Sequence, residues 1–438
     1  MKKVIAVCVA VLILCMTAIS ASALDYGFNV ETVSKGIYLE ELNSGVVVFE
    51  KDADVQTYPA STTKIMTYII VAENVADFDG TMVEITEDAL ATLDPESSVM
   101  GLTDHIGESF SVKDLLYGLM LPSGNDAALV LATYVGNGSI DAFVELMNNK
   151  AKELGCAGTH FANPHGLYDP DHYSTPRDMA KITKYALTVR DFAEISNTKQ
   201  YTPAGFEDPI VTTNYMIDKD GHNGDYYYPY AKGIKTGFTD EAGRCLVTTA
   251  ATDSYNYLCI AFGAAYSYED DINYAMLDSI NLYNWAFDNI AYQTVYPTTD
   301  VVANIEVDNT KENTTLDLVP TADVKALLPV GYRPELITTQ TDMPGSVSAP
   351  INQGSVVGKL NVYYNNELVT TAELCASASI DGDSKSQQSK SDTEDTVKLI
   401  LIIVFIVATV IILLIVYLVV NKARRKKREV QRHRRRYY

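Results

Sequence analysis

Three short groups of residues could do chemistry in this 438-residue chain. Ser61 and Lys64 bound a Ser-Thr-Thr-Lys run, Ser123 and Asn125 bound a Ser-Gly-Asn run, and Lys235, Thr236 and Gly237 are consecutive. A serine hydroxyl is a weak nucleophile and needs an adjacent base. On a helix, a lysine three residues on shares the face of the serine, one turn away. Lys64 is therefore the candidate base for Ser61, provided that it is neutral. Burial and a second cation, Lys235, would both lower its pKa. A helix N-terminus would favour the negative charge developing at Ser61. Ser123 is a candidate relay of a proton to a leaving amine. Asn125 can hold Lys64 and donate to a substrate amide carbonyl. Lys235 and Thr236 offer a cation and a hydroxyl to a substrate carboxylate. Gly237 lets a substrate backbone approach a strand edge closely. The backbone N–H groups of Ser61 and Phe238 would form an oxyanion hole.

Each group alone is a weak signal. A Ser-x-x-Lys recurs by chance, and a lone Lys-Thr-Gly is most often a turn. Their joint occurrence in this order makes a purely structural reading improbable.

The elements that must position these groups can be read from periodicity. Residues 36–40 and 45–50 read as two strands. Residues 61–75 carry Ile65, Met66, Ile69, Ile70 and Val71, the pattern of a largely buried helix. Residues 112–120, 127–134 and 140–154 read as further helices. Residues 243–250 and 255–263 read as an antiparallel pair turning at 252–254. Helices clustered between strands predict an α+β layer domain over 24–290. Residues 291–376 contain only short strand-like runs, with a hairpin signal at Asn365-Asn366. They predict a small β-sandwich. Residues 377–398 are mostly polar and read as a flexible stalk.

Both ends carry export and membrane signals. Residues 1–23 combine Lys2 and Lys3, an apolar run and Ala21-Ser22-Ala23, the pattern of a cleaved signal peptide. Residues 399–420 are apolar and uncharged. At about 1.5 Å per residue they reach roughly 33 Å, enough for a transmembrane helix. The tail 421–438 holds ten basic residues and one acid, which places it on the cytoplasmic side and beside membrane lipid. The formal net charge of −22 therefore conceals a segment, 24–397, with 21 basic and 55 acidic residues, a net of −34. Such a segment excludes nucleic acid as a partner.

Cysteine and histidine leave two alternatives open. Cys245 and Cys259 flank Thr252 symmetrically, as facing residues of a hairpin would; they pair as a disulfide or lie buried as small hydrophobes. His160, His165 and His172 lie close in sequence, but Pro164 interrupts any shared helical face. No metal or cofactor is expected. His165 is expected to support a loop, and Thr175, Pro176 and Asp178 a capped helix start.

The runs Pro59-Ala-Ser-Thr-Thr-Lys-Ile-Met-Thr67, Leu121-Pro-Ser-Gly-Asn-Asp-Ala-Ala128 and Gly233-Ile-Lys-Thr-Gly-Phe-Thr239 resemble the serine-type D-alanyl-D-alanine carboxypeptidases, the low-molecular-mass penicillin-binding proteins. Thr159-His-Phe-Ala-Asn-Pro-His-Gly-Leu167 is similar to another stretch of that family. The resemblance covers about 30–290, and the β-rich region is similar to the family's second domain. It implies a penicillin-binding-protein/beta-lactamase-like fold and an acyl transfer. Ser61 would attack the terminal bond of a peptidoglycan stem peptide ending in D-Ala-D-Ala, and beta-lactams would acylate Ser61. A beta-lactamase would need a deacylating Glu that the stretch after Ser123 does not offer. A transpeptidase or endopeptidase would share the site, and a non-catalytic wall-binding protein would keep the fold. Two features depart from the family. Residues 218–230, with Tyr226, Tyr227, Tyr228 and Tyr230, are long and aromatic, and are read more as a cover for the sheet than as a groove wall. The anchor also reads as a membrane span in place of an amphipathic helix lying on the surface.

Overall fold

The computed structural model describes residues 26–266, 272–310, 314–382, 398–403 and 405. The expected signal peptide, most of the stalk, most of the apolar run 399–420 and the basic tail lie outside the described residues. Among the described residues, no single helix is long and apolar enough to cross a membrane. The chain forms two compact units. One comprises Met1–Gln293, Lys325–Thr338 and Val362–Thr370; the other comprises Thr294–Val324, Thr339–Asn361 and Thr371–Tyr438.

In the first unit, β1 (Gly36–Glu41) and β2 (Val46–Lys51) precede five longer helices: α1 (Lys64–Asn74), α2 (Val112–Met120), α3 (Asn125–Val135), α4 (Ile140–Glu153) and α5 (Pro176–Ala186). Strands β3 (Ala231–Thr239), β4 (Gly243–Ala251) and β5 (Asn256–Ala264) follow, and then α6 (Tyr274–Asn289). The five strands form one antiparallel sheet in the order β2-β1-β5-β4-β3. The N-terminal strands insert beside β5, which leaves β3 as an edge. Both central strands are buried on both faces, so they read as near-continuous apolar runs.

One face of the sheet meets the helical cluster. Val247, Leu258, Ile260 and Phe262 share a core with Ile65, Met66, Ile69 and Ile70 of α1. Helix α1 is buried nearly all round, as an inner helix should be. The other face is covered by α6, where the Tyr283 hydroxyl donates to the Thr248 carbonyl at 2.8 Å. The buried Asp278 carboxylate on α6 accepts from the Val33 and Ser34 N–H groups and the Ser34 hydroxyl, tying the N-terminal lead-in to the helix. Local capping sets the helix starts. Ser111 and Asp114 form a reciprocal capping box at α2. The Thr175 side chain accepts from Asp178 N at α5, with Pro176 in the first turn, as the sequence pattern indicates.

The disulfide alternative is corrected. Cys245 and Cys259 are free and buried. The pairing of β4 with β5 shifts register between Arg244 and Leu246, and Cys259 lies opposite Thr248. The two thiols point to opposite faces: Cys245 Sγ contacts the Tyr58 carbonyl, and Cys259 Sγ contacts Ser279 of α6. Burial pushes both thiols up to about 12, so they stay protonated.

In the aromatic segment, Tyr226 and Tyr228 are buried, whereas Tyr227 and Tyr230 are exposed. The Tyr228 hydroxyl donates to Asn284, its ring stacks on Tyr283, and the Tyr226 hydroxyl accepts from Asn273 N. The segment is cover for α6.

The second unit is β-rich. It holds all of strands β6 (Ala303–Asp308), β7 (Thr314–Pro320) and β9 (Ser346–Ser348) and parts of β8 (Ile337–Asp342), β10 (Val356–Tyr364) and β11 (Glu367–Ala376), six strands that form one sheet in the order β8-β10-β11-β7-β6-β9. The pairing of β6 with β9 is parallel. Between β10 and β11, Asn365 and Asn366 take φ of 51° and 70°. Both signs match the two-residue hairpin turn that these residues favour.

Candidate active site

The residues flanking Ser61 do not begin as an α-helix. Ala60–Thr63 form one 3-10 turn, and α1 starts only at Lys64. At three residues per turn, side chains at i and i+3 eclipse. This places Lys64 Nζ 3.0 Å from Ser61 Oγ. The turn is set by Ala60, whose φ of 48° is left-handed and costly for a residue with a Cβ, and by Thr62 Oγ1, which donates to the Pro59 carbonyl at 2.7 Å.

Lys64 Nζ has two further partners, Asn125 Oδ1 at 2.6 Å and the His165 carbonyl at 2.8 Å. Asn125 is the first residue of α3. His165 sits in a turn that Asn163 braces by accepting from Gly166 N. Gly166 has φ of 90°, and a Cβ there would lie 2.0 Å from the Ala60 carbonyl oxygen, so only glycine lets this turn press against the 3-10 turn. Burial, and then the nearby Lys235 cation, hold the Lys64 pKa well below the ordinary lysine range, against a smaller opposing pull from Asp126.

Ser123 is buried with φ of 63°, and its Oγ has no hydrogen-bond partner. Its carbonyl accepts from Ser98 Oγ at 2.9 Å. Gly124 also has a steric reason in this chain: a Cβ there would lie 2.7 Å from an Asp126 oxygen and 2.8 Å from the Gly118 carbonyl.

On edge strand β3, Lys235 is 1% exposed and Nζ donates to the Thr236 carbonyl at 2.9 Å. Burial lowers its pKa to about 7. Thr236 Oγ1 meets Thr213 Oγ1 at 2.5 Å. Gly237 brings β3 against the 3-10 turn, since a Cβ there would lie 3.0 Å from Ser61 N and 3.1 Å from Ala60 Cβ. Ser61, Ser123, Asn125, Thr236, Gly237 and Phe238 line one groove of about 460 Å³.

The structure thus brings all three sequence groups to one place. Several contributors carry no sequence signal of their own. The His165 contribution is a backbone carbonyl, which any residue could supply. Asp126, next to Asn125, accepts from the N–H groups of Met100, Gly101, Leu102 and Ala127, and pins the loop before α2 to the start of α3. Thr213 and Arg244 also line the groove. Their positions follow from strand register and loop packing.

The histidines serve the scaffold. His172 Nδ1 accepts from Ala162 N, and Nε2 meets Thr63 Oγ1 at 2.7 Å. Burial lowers His172 to about 4 and His165 to about 3, so both are neutral. His160 Nδ1 bonds the Asp171 carbonyl. Among the described residues, no group of three or more His, Cys, Asp or Glu side chains could hold a metal ion.

Comparison with known proteins agrees with this geometry. The family profile described as D-alanyl-D-alanine carboxypeptidase matches residues 25–265, and that of the penicillin-binding protein 5 C-terminal domain matches residues 291–381. The D-alanyl-D-alanine carboxypeptidase DacF of Bacillus subtilis is 30% identical over 356 residues, covering 78% of this chain and 85% of the relative. The structure of penicillin binding protein 5 from Haemophilus influenzae superposes with a TM-score of 0.62 at 27% identity, covering 81% of this chain and 99% of that one. The Streptomyces K15 DD-transpeptidase superposes with a TM-score of 0.53 at 29% identity, covering 60% and 99%. With its three groups joined in one groove and its fold shared with these proteins, the chain belongs to the D-alanyl-D-alanine carboxypeptidase family of penicillin-binding proteins.

Proposed function

We propose that the protein is a serine-type D-Ala-D-Ala carboxypeptidase that trims peptidoglycan stem peptides through a Ser61 acyl-enzyme. The observation that carries this reading is the set of three partners around Lys64 Nζ. Two of them, Asn125 Oδ1 and the His165 carbonyl, can only accept. A neutral amine has two N–H bonds, and these two acceptors take both. Its lone pair then faces Ser61 Oγ and receives the hydroxyl proton.

Ser61 Oγ attacks the carbonyl carbon of the penultimate D-alanine while its proton passes to Lys64. The oxyanion is held by the N–H groups of Ser61 and Phe238. Asn125 Nδ2 is free of Lys64 and donates to a substrate amide carbonyl. Lys235 and Thr236 bind the terminal carboxylate. The C–N bond breaks, and the departing amine takes a proton by way of Ser123, whose unpartnered Oγ is available for that transfer. Water then hydrolyses the ester, releasing the shortened peptide and Ser61. A beta-lactam presents an amide and a carboxylate at the same spacing and stops at the acyl-enzyme. If an amine takes the place of water, the same intermediate yields transpeptidation, the activity named for the Streptomyces K15 relative.

Ser61→Ala should abolish both D-alanine release from a pentapeptide ending in D-Ala-D-Ala and covalent labelling by a fluorescent penicillin. Mass spectrometry of the adduct on the intact chain should place it on Ser61. D-alanine release that survives in Ser61→Ala, or that a chelator alone blocks, would overturn the serine mechanism.

The location of the protein rests on sequence. Residues 1–23 are removed on export, the folded units lie outside the cell membrane, 399–420 cross it, and the basic tail 421–438 lies in the cytoplasm against anionic lipid.

A further inference from the structure

His172 is 2% exposed and does not line the groove, yet both of its ring nitrogens are engaged. Nδ1 faces the Ala162 N–H at 3.1 Å, and Nε2 faces Thr63 Oγ1 at 2.7 Å. A backbone N–H can only donate, so Nδ1 is bare and the one proton of the neutral ring sits on Nε2. Nε2–H therefore donates to Thr63 Oγ1. The Phe161 ring meets the imidazole edge to face at 5.6 Å and fixes its plane.

The two ends of this bridge belong to segments that meet at Lys64. Thr63 is fully buried, closes the 3-10 turn and immediately precedes Lys64. Ala162 opens the stretch that leads to the His165 carbonyl, 2.8 Å from Lys64 Nζ. That stretch rests on Thr63. A Cβ on Gly166 would lie 2.9 Å from Thr63 Oγ1, besides its clash with the Ala60 carbonyl. Four residues on, along the same face of α1, Thr67 Oγ1 donates to the Pro164 carbonyl at 2.5 Å. The turn at His165 is thus tied to α1 through Thr67 and to the 3-10 turn through His172 and Thr63.

We infer that His172 is a positioning residue for the Lys64 base, acting through Thr63 and the His165 carbonyl. The inference rests on the carboxypeptidase reading and deepens it. The His165 carbonyl and Asn125 Oδ1 take both N–H bonds of the neutral amine and so aim its lone pair at Ser61 Oγ. If the His165 carbonyl drifts, one N–H is released, and the lone pair no longer faces the hydroxyl proton. The imidazole touches no reacting atom and exchanges no proton with substrate. Substrate affinity rests on Lys235, Thr236 and Asn125, which sit on other elements. Loss of the bridge therefore falls on the acylation step and leaves binding as it was.

The test follows acylation of the full chain by a fluorescent penicillin. The saturated rate is separated from the half-saturating concentration, and the final labelled fraction counts the assembled sites. His172→Gln keeps an N–H donor for Thr63 at the Nε2 position. His172→Asn keeps only an acceptor for Ala162 at the Nδ1 position. Thr63→Val removes the acceptor on the turn and leaves the bond from Ala162 to His172 intact. His172→Asn and Thr63→Val should each slow the saturated rate by about tenfold to hundredfold, with the half-saturating concentration unchanged. His172→Gln should recover most of that loss. The double variant His172→Asn/Thr63→Val should be no slower than either single one, because both break the same bond. A role confined to folding of the loop gives the opposite pattern: His172→Asn outperforms His172→Gln, and fewer molecules are labelled, each at the full rate. That pattern would overturn the inference. So would a full saturated rate in Thr63→Val, a loss that appears in the half-saturating concentration instead, or losses that multiply in the double variant. None of these touches the carboxypeptidase reading, which falls, together with the inference, if penicillin does not acylate the unaltered protein and no D-alanine is released.

Discussion

Two buried lysines beside one groove have to differ in charge for the proposed chemistry to run. In the proposed mechanism Lys64 must be neutral to accept the Ser61 proton, whereas Lys235 must be cationic to hold a carboxylate. Burial lowers both, and the Lys235 charge lowers Lys64 further. Deprotonation of Lys64 switches the base on, so activity rises with pH through the Lys64 pKa. Lys235 loses its charge as pH rises through about 7 in the free enzyme, so kcat/KM should fall above that point. A bound carboxylate favours the cation and moves the same limb of kcat to higher pH. Rates of D-alanine release from pH 5 to 10 should therefore give a kcat/KM profile that turns down earlier than that of kcat. Lys235→Arg keeps its charge throughout this range and should lose the alkaline limb. An unchanged limb in that variant would assign it to another group. The same shift has a stability sign. Lys235 unfolds to an ordinary lysine at 10.5, so the unfolded state binds more protons between about 7 and 10.5, and stability is lost as pH falls through that window.

At the scale of elements, the site depends on how the loop before α2, the start of α3 and the 3-10 turn are fastened together. Asp126 is fully buried and accepts from four backbone N–H groups. Asp126→Ala leaves those donors unmet and should cost about 3–5 kcal/mol. It should also slow acylation by penicillin, because Ser98 and Asn125 lose their common anchor. Ser111→Ala breaks a helix cap far from the chemistry and should cost only about 1 kcal/mol. Its acylation rate should match that of the unaltered protein. Denaturant melts and acylation rates of the two variants check this contrast; equal effects on stability would refute the assigned role of Asp126. The same elements show what sequence can and cannot convey. The helices at α1 to α4 and the β4–β5 hairpin are legible because burial imposes a period on apolar residues. The 3-10 turn at Ala60–Thr63 is not, because it turns on a left-handed alanine, a residue type that carries no turn signal, packed against the distant Gly166 turn. The roles of the His165 carbonyl and of Asp126 were equally hidden, since they arise from contacts between distant segments. The symmetry of Cys245 and Cys259 about Thr252 left a disulfide and two buried thiols both open, and the thiols are free and buried. The hairpin register sets Cys259 opposite Thr248, three residues along β4 from Cys245, and that odd separation sends one thiol to each face.

Over the whole molecule, a formal charge of −22 describes no single surface. Residues 24–397 carry −34, and the ten basic residues of the tail follow an apolar run that begins at Leu399. A run of 22 uncharged residues, about 33 Å as a helix, matches a hydrocarbon core of about 30 Å. Moving the tail through that core would expose its many cations to hydrocarbon at about 2.5–3.5 kcal/mol each by insertion scales. On the proposed topology the tail stays on the side where the chain is made, and residues 24–398 are exported ahead of it. This separation of charge is the thermodynamic argument for the proposed topology, which can be tested on both sides of the membrane. Protease added to cells stripped of their wall should remove the penicillin-labelled folded units and leave a membrane-bound fragment that keeps the basic tail. The exported chain should begin at Leu24 by N-terminal sequencing. Deleting 399–438 should move penicillin labelling from the membrane fraction to the medium of such cells. Loss of the tail to external protease, or labelling that stays with the membrane after the deletion, would refute this orientation and anchor.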